Sequence, residues 1–439
     1  MLTDHAIREI LTEQKHLLKP PPQEVEREAL PEAVALSKLK HVVVITGPRR
    51  AGKSVFLSQI ANKLYKNENL YYINFDDERL ITLKVQHMNR VLENLRFLFG
   101  ESKVIFMDEI QNLEKWELFV ARLFNQGFKI YITGSNANLL SSELATHLTG
   151  RHLDIELLPF SFREYLKYHG IDPEQIFKEK KHYTMETRTT MTKHLENYME
   201  TGGFPEMVIS GEPKILKTLF NDIITKDIIG RYSVKEVRTL KEIATFLLSN
   251  IAGEISYNKI KNTYNLGSVH TVKNYINYME AAYLVFEVSR FSYSLKNSQV
   301  RTKKIYAVDT GMAKHVGVHH LADAGKLFEN LIFLELKRRK CQVYHFKDPS
   351  SKKETDFVIK KSNGELEAVQ VAYEIESEDT FSREIYGLMK AMKTFGLKRG
   401  IIITKNHEEA LKIKGFEIYF VPAWKWLPST AAFEEVMNL

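Results

Sequence analysis

The stretch Val42-Val43-Val44-Ile45-Thr46-Gly47-Pro48-Arg49-Arg50-Ala51-Gly52-Lys53-Ser54-Val55-Phe56 decides how the rest of the chain is read. Four β-branched residues, Val42 to Ile45, have the character of a buried parallel strand. Gly47 to Ser54 then match G-x-x-x-x-G-K-[ST] at every fixed position. The pattern answers a physical need. Glycines let the main chain wrap an anion so that successive N–H groups point inward. A helix starting near Lys53 adds the positive end of its dipole. The residues expected to cradle a nucleotide's phosphates are therefore Gly47, Pro48, Arg49, Arg50, Ala51, Gly52, Lys53, Ser54 and Val55. Lys53 would reach the β- and γ-phosphates, and the Ser54 hydroxyl would ligate Mg²⁺.

Working outward, strand-like runs at 41–46, 70–75, 103–107, 129–133 and 152–157 alternate with helical patterns such as 53–67 and 116–127. Such alternation predicts a parallel sheet with helices on both faces, and ligands at the carboxyl ends of its strands. The third run ends Val104-Ile105-Phe106-Met107-Asp108-Glu109, an apolar strand that delivers two acids. Asp108 is placed to hold Mg²⁺, and Glu109 to polarise an attacking water as general base. A second acid there favours hydrolysis over passive binding. The fourth run ends Ile130-Tyr131-Ile132-Thr133-Gly134-Ser135-Asn136. Ser135, with Asn136 behind it, could orient the water or touch the γ-phosphate; the alternative is a plain polar turn. Arg151, in Leu148-Thr149-Gly150-Arg151, could stabilise transition-state charge in its own or a neighbouring subunit. Its alternative is a surface ion pair of little energetic weight.

The segments GPRRAGKS, FMDEIQ, TGSNANLL and LTGRHLDIELLPFSFREYL together resemble an AAA+ ATPase. More closely, they resemble the bacterial and archaeal ATPases that carry a C-terminal domain of unknown function. The resemblance implies a P-loop core with sheet order 5-1-4-3-2 and ATP with Mg²⁺ as the nucleotide pair. It places the loop lysine and hydroxyl on Lys53 and Ser54, and the metal and catalytic acids on Asp108 and Glu109. It places the sensor on Ser135 and the candidate finger on Arg151. No guanine-reading N-K-x-D pattern follows the fourth strand.

The flanking segments have their own rhythms. Residues 1–36 read as an amphipathic helix, a breaker at Lys19-Pro20-Pro21-Pro22, and a second helix over 23–36. Residues 166–235 read as a helical lid interrupted at Glu200-Thr201-Gly202-Gly203-Phe204-Pro205-Glu206, which resembles the family's GGFPE signature and reads as a structural turn. Lys226 or Arg231 could sense the γ-phosphate from there. Residues 236–312 offer three helices and two strands, the pattern of a winged helix. Ser268 caps the third helix, and His270, Thr271, Lys273, Asn274 and Asn277 could face a DNA groove. One lysine and no arginine make a thin electrostatic footprint, so a spacer is the alternative. Residues 313–439 resemble the PD-(D/E)xK nuclease fold, with Glu329 and Asp356 matching its first two acids. By register the E-x-K element falls on Gln370, Val371 and Ala372, and strand alternation bars Glu367 from substituting. A nuclease-like domain without nuclease activity is expected.

A chain of 439 residues has room for several cores, and a formal charge of +7 permits a nucleic-acid partner without requiring one. No apolar run is long enough to cross a bilayer, and MLTDHAIREILTEQK has no apolar signal core. Cys341 is the only cysteine, which suits a reducing cytoplasm. The expectation is a multidomain α/β protein divided at 1–36, 37–165, 166–235, 236–312 and 313–439. It would be an Mg²⁺-dependent ATPase that couples nucleotide state to double-stranded DNA or a protein, with no membrane partner and oligomerisation open. A slow nucleotide-switched binding module is the alternative, and a metal-dependent nuclease resting on Glu329, Asp356 and Glu367 is a third reading.

Overall fold

The computed structural model describes residues 2–19, 24–66, 68–136, 148, 150–178, 183–292, 302–318, 323–348, 350, 351, 353–361, 363–375 and 377–429. Outside them lie Pro20, Pro21, Pro22 and Gln23, the Ala137 to Leu140 part of TGSNANLL, Thr149 and Ser362. The chain divides into two compact units: Met1–Pro159 with Ala281–Tyr283, and Phe160–Glu280 with Leu284–Leu439.

The first unit is a three-layer sandwich. Its strands are β1 (Val42–Thr46), β2 (Tyr71–Asn74), β3 (Val104–Asp108), β4 (Lys129–Gly134) and β5 (His152–Glu156). They lie in the order β2-β3-β4-β1-β5, every pair parallel, which is the expected 5-1-4-3-2 read from the other edge. The helices are α1 (Asp4–Leu17), α2 (Leu30–Ser37), α3 (Lys53–Leu64), α4 (Met88–Phe99) and α5 (Trp116–Asn125). Strand alternation sorts the core into two faces. Val42, Val44, Ile105, Met107, Ile130 and Ile132 pack with residues of α1, α4 and α5. Val43, Ile45, Tyr72, Phe106 and Tyr131 pack with residues of α2 and α3. Burial on both faces explains why VVVIT and VIFMD are apolar without interruption.

The second helix starts at Leu30 rather than near 23, because Pro31 sits in its first turn, where a missing N–H costs nothing. The irregular stretch before it is tied to α3: the Gln59 carboxamide donates to Val25 O (2.8 Å) and accepts from Arg27 N (3.1 Å). The buried Arg27 guanidinium donates to Ala51 O (2.7 Å) and Leu158 O (2.6 Å). On edge strand β2 the Gln14 carboxamide pairs with both main-chain groups of Asn74 at 3.0 Å, a substitute for a neighbouring strand.

The second unit opens with helices Phe162–Tyr168, Pro173–Lys178, Met185–Thr201, Pro205–Ser210 and Lys214–Asp222, the last continuing as a π-helical turn over Ile223–Ile229. Gly202, at φ +74°, ends one helix and Pro205 begins the next. A Cβ on Gly203 would stand 2.2 Å from Phe160 O, and Gly203 N donates to Asp309 Oδ2 at 2.6 Å. Close packing therefore accounts for the Gly-Gly pair.

Three helices follow, Val237–Ser249, Tyr257–Thr263 and Val269–Ala281, with an antiparallel sheet of β6 (Glu254–Ile255), β7 (Val285–Ser289) and β8 (Lys303–Ala307) in the order β6-β8-β7. Next come helices Thr310–Val316 and Ala324–Arg338 and a six-stranded mixed sheet. Its strands are β9 (Gln342–Lys347), β10 (Glu354–Lys360), β11 (Leu366–Ala372), β12 (Arg399–Thr404), β13 (Glu409–Ile413) and β14 (Phe416–Pro422), in the order β13-β14-β12-β11-β10-β9. The helix Glu378–Phe395 buries Ile385, Leu388, Ala391 and Met392 in this sheet's core.

Candidate nucleotide site

The loop between β1 and α3 is built by close approach. A Cβ on Gly47 would meet Leu157 O at 2.1 Å, so only glycine fits. Ala51 N donates to Pro48 O (3.2 Å), closing a tight turn, and Arg50 takes the left-handed region at φ 62°. Gly52 does the same at φ 91° as the N-cap of α3. That helix start has no side-chain cap and no acid in its first turn. The leading N–H groups of Lys53, Ser54 and Val55 thus meet no capping side chain, and the positive helix end suits an anion. The Lys53 side chain is buried; its ammonium donates to Gly47 O (3.2 Å) and Pro48 O (3.1 Å) and lies 3.4 Å from Glu109 Oε1. Arg49 is half-buried, while Arg50, Ser54 and Val55 are exposed.

Asp108 ends β3 wholly buried, on the sheet face that carries α3. Hydroxyls surround it. Tyr72 donates to its Oδ2 at 3.1 Å, Thr133 donates to its Oδ1, and the Ser54 hydroxyl bonds the same carboxylate. Burial, and then the charge of Glu109, push the Asp108 pKa up despite these bonds and Lys53. A buried carboxylate with hydroxyl neighbours and a second acid beside it is short of positive charge. Ser54 and Asp108 offer oxygen donors of the kind Mg²⁺ takes, so the residues present fit that ion. Glu109 follows in the left-handed region at φ 48°, which turns its side chain out of the strand's alternation. Its Oε2 accepts from Gln111 Nε2.

Thr133 joins the two acids, because its Oγ1 also accepts from Glu109 N at 2.9 Å. Position in the sequence favours Ser135 and Asn136 instead, which the structure buries just beyond the end of β4. The signal was the register: Met107 pairs with Ile132, so Thr133 comes opposite Asp108. Arg151 is not brought to this group. It is exposed just before β5, donates to Asn125 Oδ1 at 3.3 Å and lies 5.7 Å from the Phe124 ring. Residue 152 pairs with Val42, so Arg151 stands at the amino edge of the sheet. The length of β1, about 15 Å, separates that edge from the loop.

In the second unit, Glu329 and Asp356 do converge, with partners that spacing did not reveal. Gln370 Nε2 donates to Asp356 Oδ2 and Glu384 Oε2, both at 2.7 Å. Lys304 Nζ lies 2.9 Å from Glu329, 2.8 Å from Glu354 and 3.4 Å from Asp356. Burial, then Glu329, raise the Asp356 pKa. Burial opposes the charge on Lys304, but Tyr306 and the three acids hold its pKa well above the usual value. Ala372 is buried and offers no amine; the ammonium comes from β8 instead. On the helix Val269–Ala281, His270, Lys273 and Asn277 are exposed, and Thr271 and Asn274 are half-buried. Lys226 is exposed, and Arg231 pairs with Asp227 at 3.2 Å.

Sheet order, loop and acid pair define the first unit as an AAA+ P-loop fold suited to bind nucleotide. Residues 39–166 match the family model described as an AAA domain, and 192–322 and 324–426 match two domains of unknown function, DUF8612 and DUF4143. An uncharacterized protein of Methanocaldococcus jannaschii is 37% identical over 403 residues, covering 88% of each chain. One from Haemophilus influenzae is 32% identical over 410 residues, covering 90% of this chain and 96% of its own. The chain belongs to the family of these proteins, within the AAA+ P-loop class. A Walker-type ATPase of Pyrococcus abyssi is similar in structure, with a TM-score of 0.42 and 18% identity, covering 68% of this chain and 99% of that one. Among the described residues no helix is long and apolar enough to cross a membrane.

Proposed function

We propose that the protein hydrolyses ATP with Mg²⁺ and couples its nucleotide state to a DNA or protein partner of the second unit. The observation that carries the reading is the buried Asp108, bonded by the Ser54 and Thr133 hydroxyls, beside a Glu109 in reach of Lys53. Ser54 and Asp108 would hold Mg²⁺, which supplies charge neutralisation at the phosphates. The loop amides from Gly47 to Val55 bind and orient the phosphates, and Lys53 releases its own loop carbonyls to meet them. Glu109 takes the proton of the attacking water, while Thr133 keeps the two acids in register. Ser135 is the sensor of the γ-phosphate at the end of β4. Arg151 serves only the phosphates of a neighbouring copy; turnover independent of protein concentration would remove it from the site.

Lys53→Ala tests the loop. Losing charge-assisted bonds of about 2–3 kcal/mol should weaken ATP binding roughly a hundredfold. Unchanged affinity would refute the assignment.

Helices Val237–Ser249, Tyr257–Thr263 and Val269–Ala281 with the β6-β8-β7 sheet support a winged-helix reading. Gln370 and Ala372 support a nuclease-like domain without cleavage. One experiment with duplex DNA addresses both. Stimulated ATP turnover would favour DNA as the coupled partner. Cleavage in Mg²⁺ or Mn²⁺ that Asp356→Asn abolishes would overturn the inactive-domain reading.

A further inference from the structure

His345, on β9, is fully buried, and its ring is held in one tautomer. Nε2 lies 3.2 Å from the Thr302 carbonyl, which can only accept, so Nε2 carries the proton and Nδ1 presents a bare lone pair. Nδ1 is buried without a hydrogen-bond partner. A ring nitrogen of His345 and one carboxylate oxygen each of Glu254 and Glu354 all lie within 4.8 Å of one another. A buried lone pair among carboxylates is costly unless a cation joins them.

The ammoniums nearby are already committed. Lys304 lies between Glu329, Glu354 and Asp356. Lys347 reaches Glu254 at 3.1 Å and Glu354 at 3.9 Å from a partly exposed position, so an ion bound there would compete with it for both carboxylates.

We propose that Glu254, His345 and Glu354 form a binding site for a zinc-class divalent transition metal. A neutral imidazole nitrogen with two carboxylates selects Zn²⁺, Co²⁺ or Mn²⁺ over Mg²⁺, which prefers oxygen alone. The Thr302 carbonyl on the far ring nitrogen is the outer partner that fixes the orientation of a metal-binding histidine. The ligands come from β6, β9 and β10, so the ion ties the small sheet of the second unit to its large one. Two of them, Glu254 and Glu354, also line a polar cavity of about 540 Å³, towards which a remaining coordination position would open.

The test uses the full chain, stripped with chelator and free of nucleotide. It is titrated with Co²⁺, followed by visible absorption, and then with Zn²⁺ in competition. One tight equivalent is expected. Glu254→Gln, at an exposed position, should weaken it at least about tenfold. Lys347→Met should tighten it by removing the competing ammonium, a change that a merely structural role for Glu254 would not produce. Asp108→Asn should leave it unchanged, which separates this ion from any bound beside the phosphate loop. The proposal is overturned if the parent takes up no Co²⁺ or Zn²⁺, if Glu254→Gln binds as tightly, or if Asp108→Asn abolishes the signal.

Discussion

Two buried strand aspartates, Asp108 in the first unit and Asp356 in the second, keep similar company with opposite results. Each has its pKa raised by burial and by a neighbouring glutamate, and each has a lysine near it. Lys53 spends its bonds on the loop carbonyls Gly47 O and Pro48 O and touches Glu109 at the mouth. What touches Asp108 is hydroxyl groups, which bond a carboxylate without neutralising it. Lys304 instead lies among Glu329, Glu354 and Asp356, and the Gln370 amide bridges Asp356 to Glu384. Asp108 is met by hydroxyls, whereas Asp356 has an ammonium built into its cluster at 3.4 Å. Acids with a lysine nearby therefore do not by themselves make a reacting site. Which group holds the lysine decides.

Lys304→Met should break that contrast most severely. It takes the buried ammonium from Glu329 and Asp356, leaves Glu354 to Lys347, and should cost the second unit about 3–5 kcal/mol. Thermal unfolding measures this, and a variant as stable as the parent would show that Lys304 does not hold the cluster.

Asp309 sharpens the contrast, since its partners are main-chain amides: Gly203 N at 2.6 Å and Met312 N at 2.8 Å. Burial raises its pKa from 3.8 to about 6 against those bonds. The folded chain then binds more protons than the unfolded one between about pH 4 and 6, so this group's contribution falls as pH rises through that window. The whole effect is at most about 3 kcal/mol. Asp309→Asn should flatten the stability profile there; an unchanged slope would refute the assignment.

Thr133→Val is the smallest change. It keeps the shape but strips a bond from Asp108 and one from Glu109 N, and should lower ATP turnover roughly tenfold, at about 1–2 kcal/mol. Parent-like turnover would make Thr133 a packing residue only.

The first unit was legible because its chemistry is local in sequence. Gly47 to Ser54 and Asp108-Glu109 each lie on one turn or one strand end, and the alternation around them fixes a parallel sheet. Thr133 needed the β3–β4 register, which no single segment encodes. Lys304 and Glu384 were invisible for a stronger reason. They reach Asp356 from β8 and from the helix Glu378–Phe395, both outside the three elements that carry the nuclease-like match. The hairpin β13–β14 turns at Lys414 (φ 50°) and Gly415 (φ 83°), but Glu409–Ile413 lacks strict apolar–polar alternation and buries no residue, so its sequence carries no clear strand signal.

The central claim is that Glu109 is the base of an ATP-hydrolysing site. Its most direct test is steady-state turnover of Glu109→Gln at saturating Mg²⁺ and ATP, with nucleotide affinity measured on the same sample. The account predicts affinity close to the parent's and turnover lower by roughly 10²–10⁴; turnover equal to the parent's at equal affinity would contradict it.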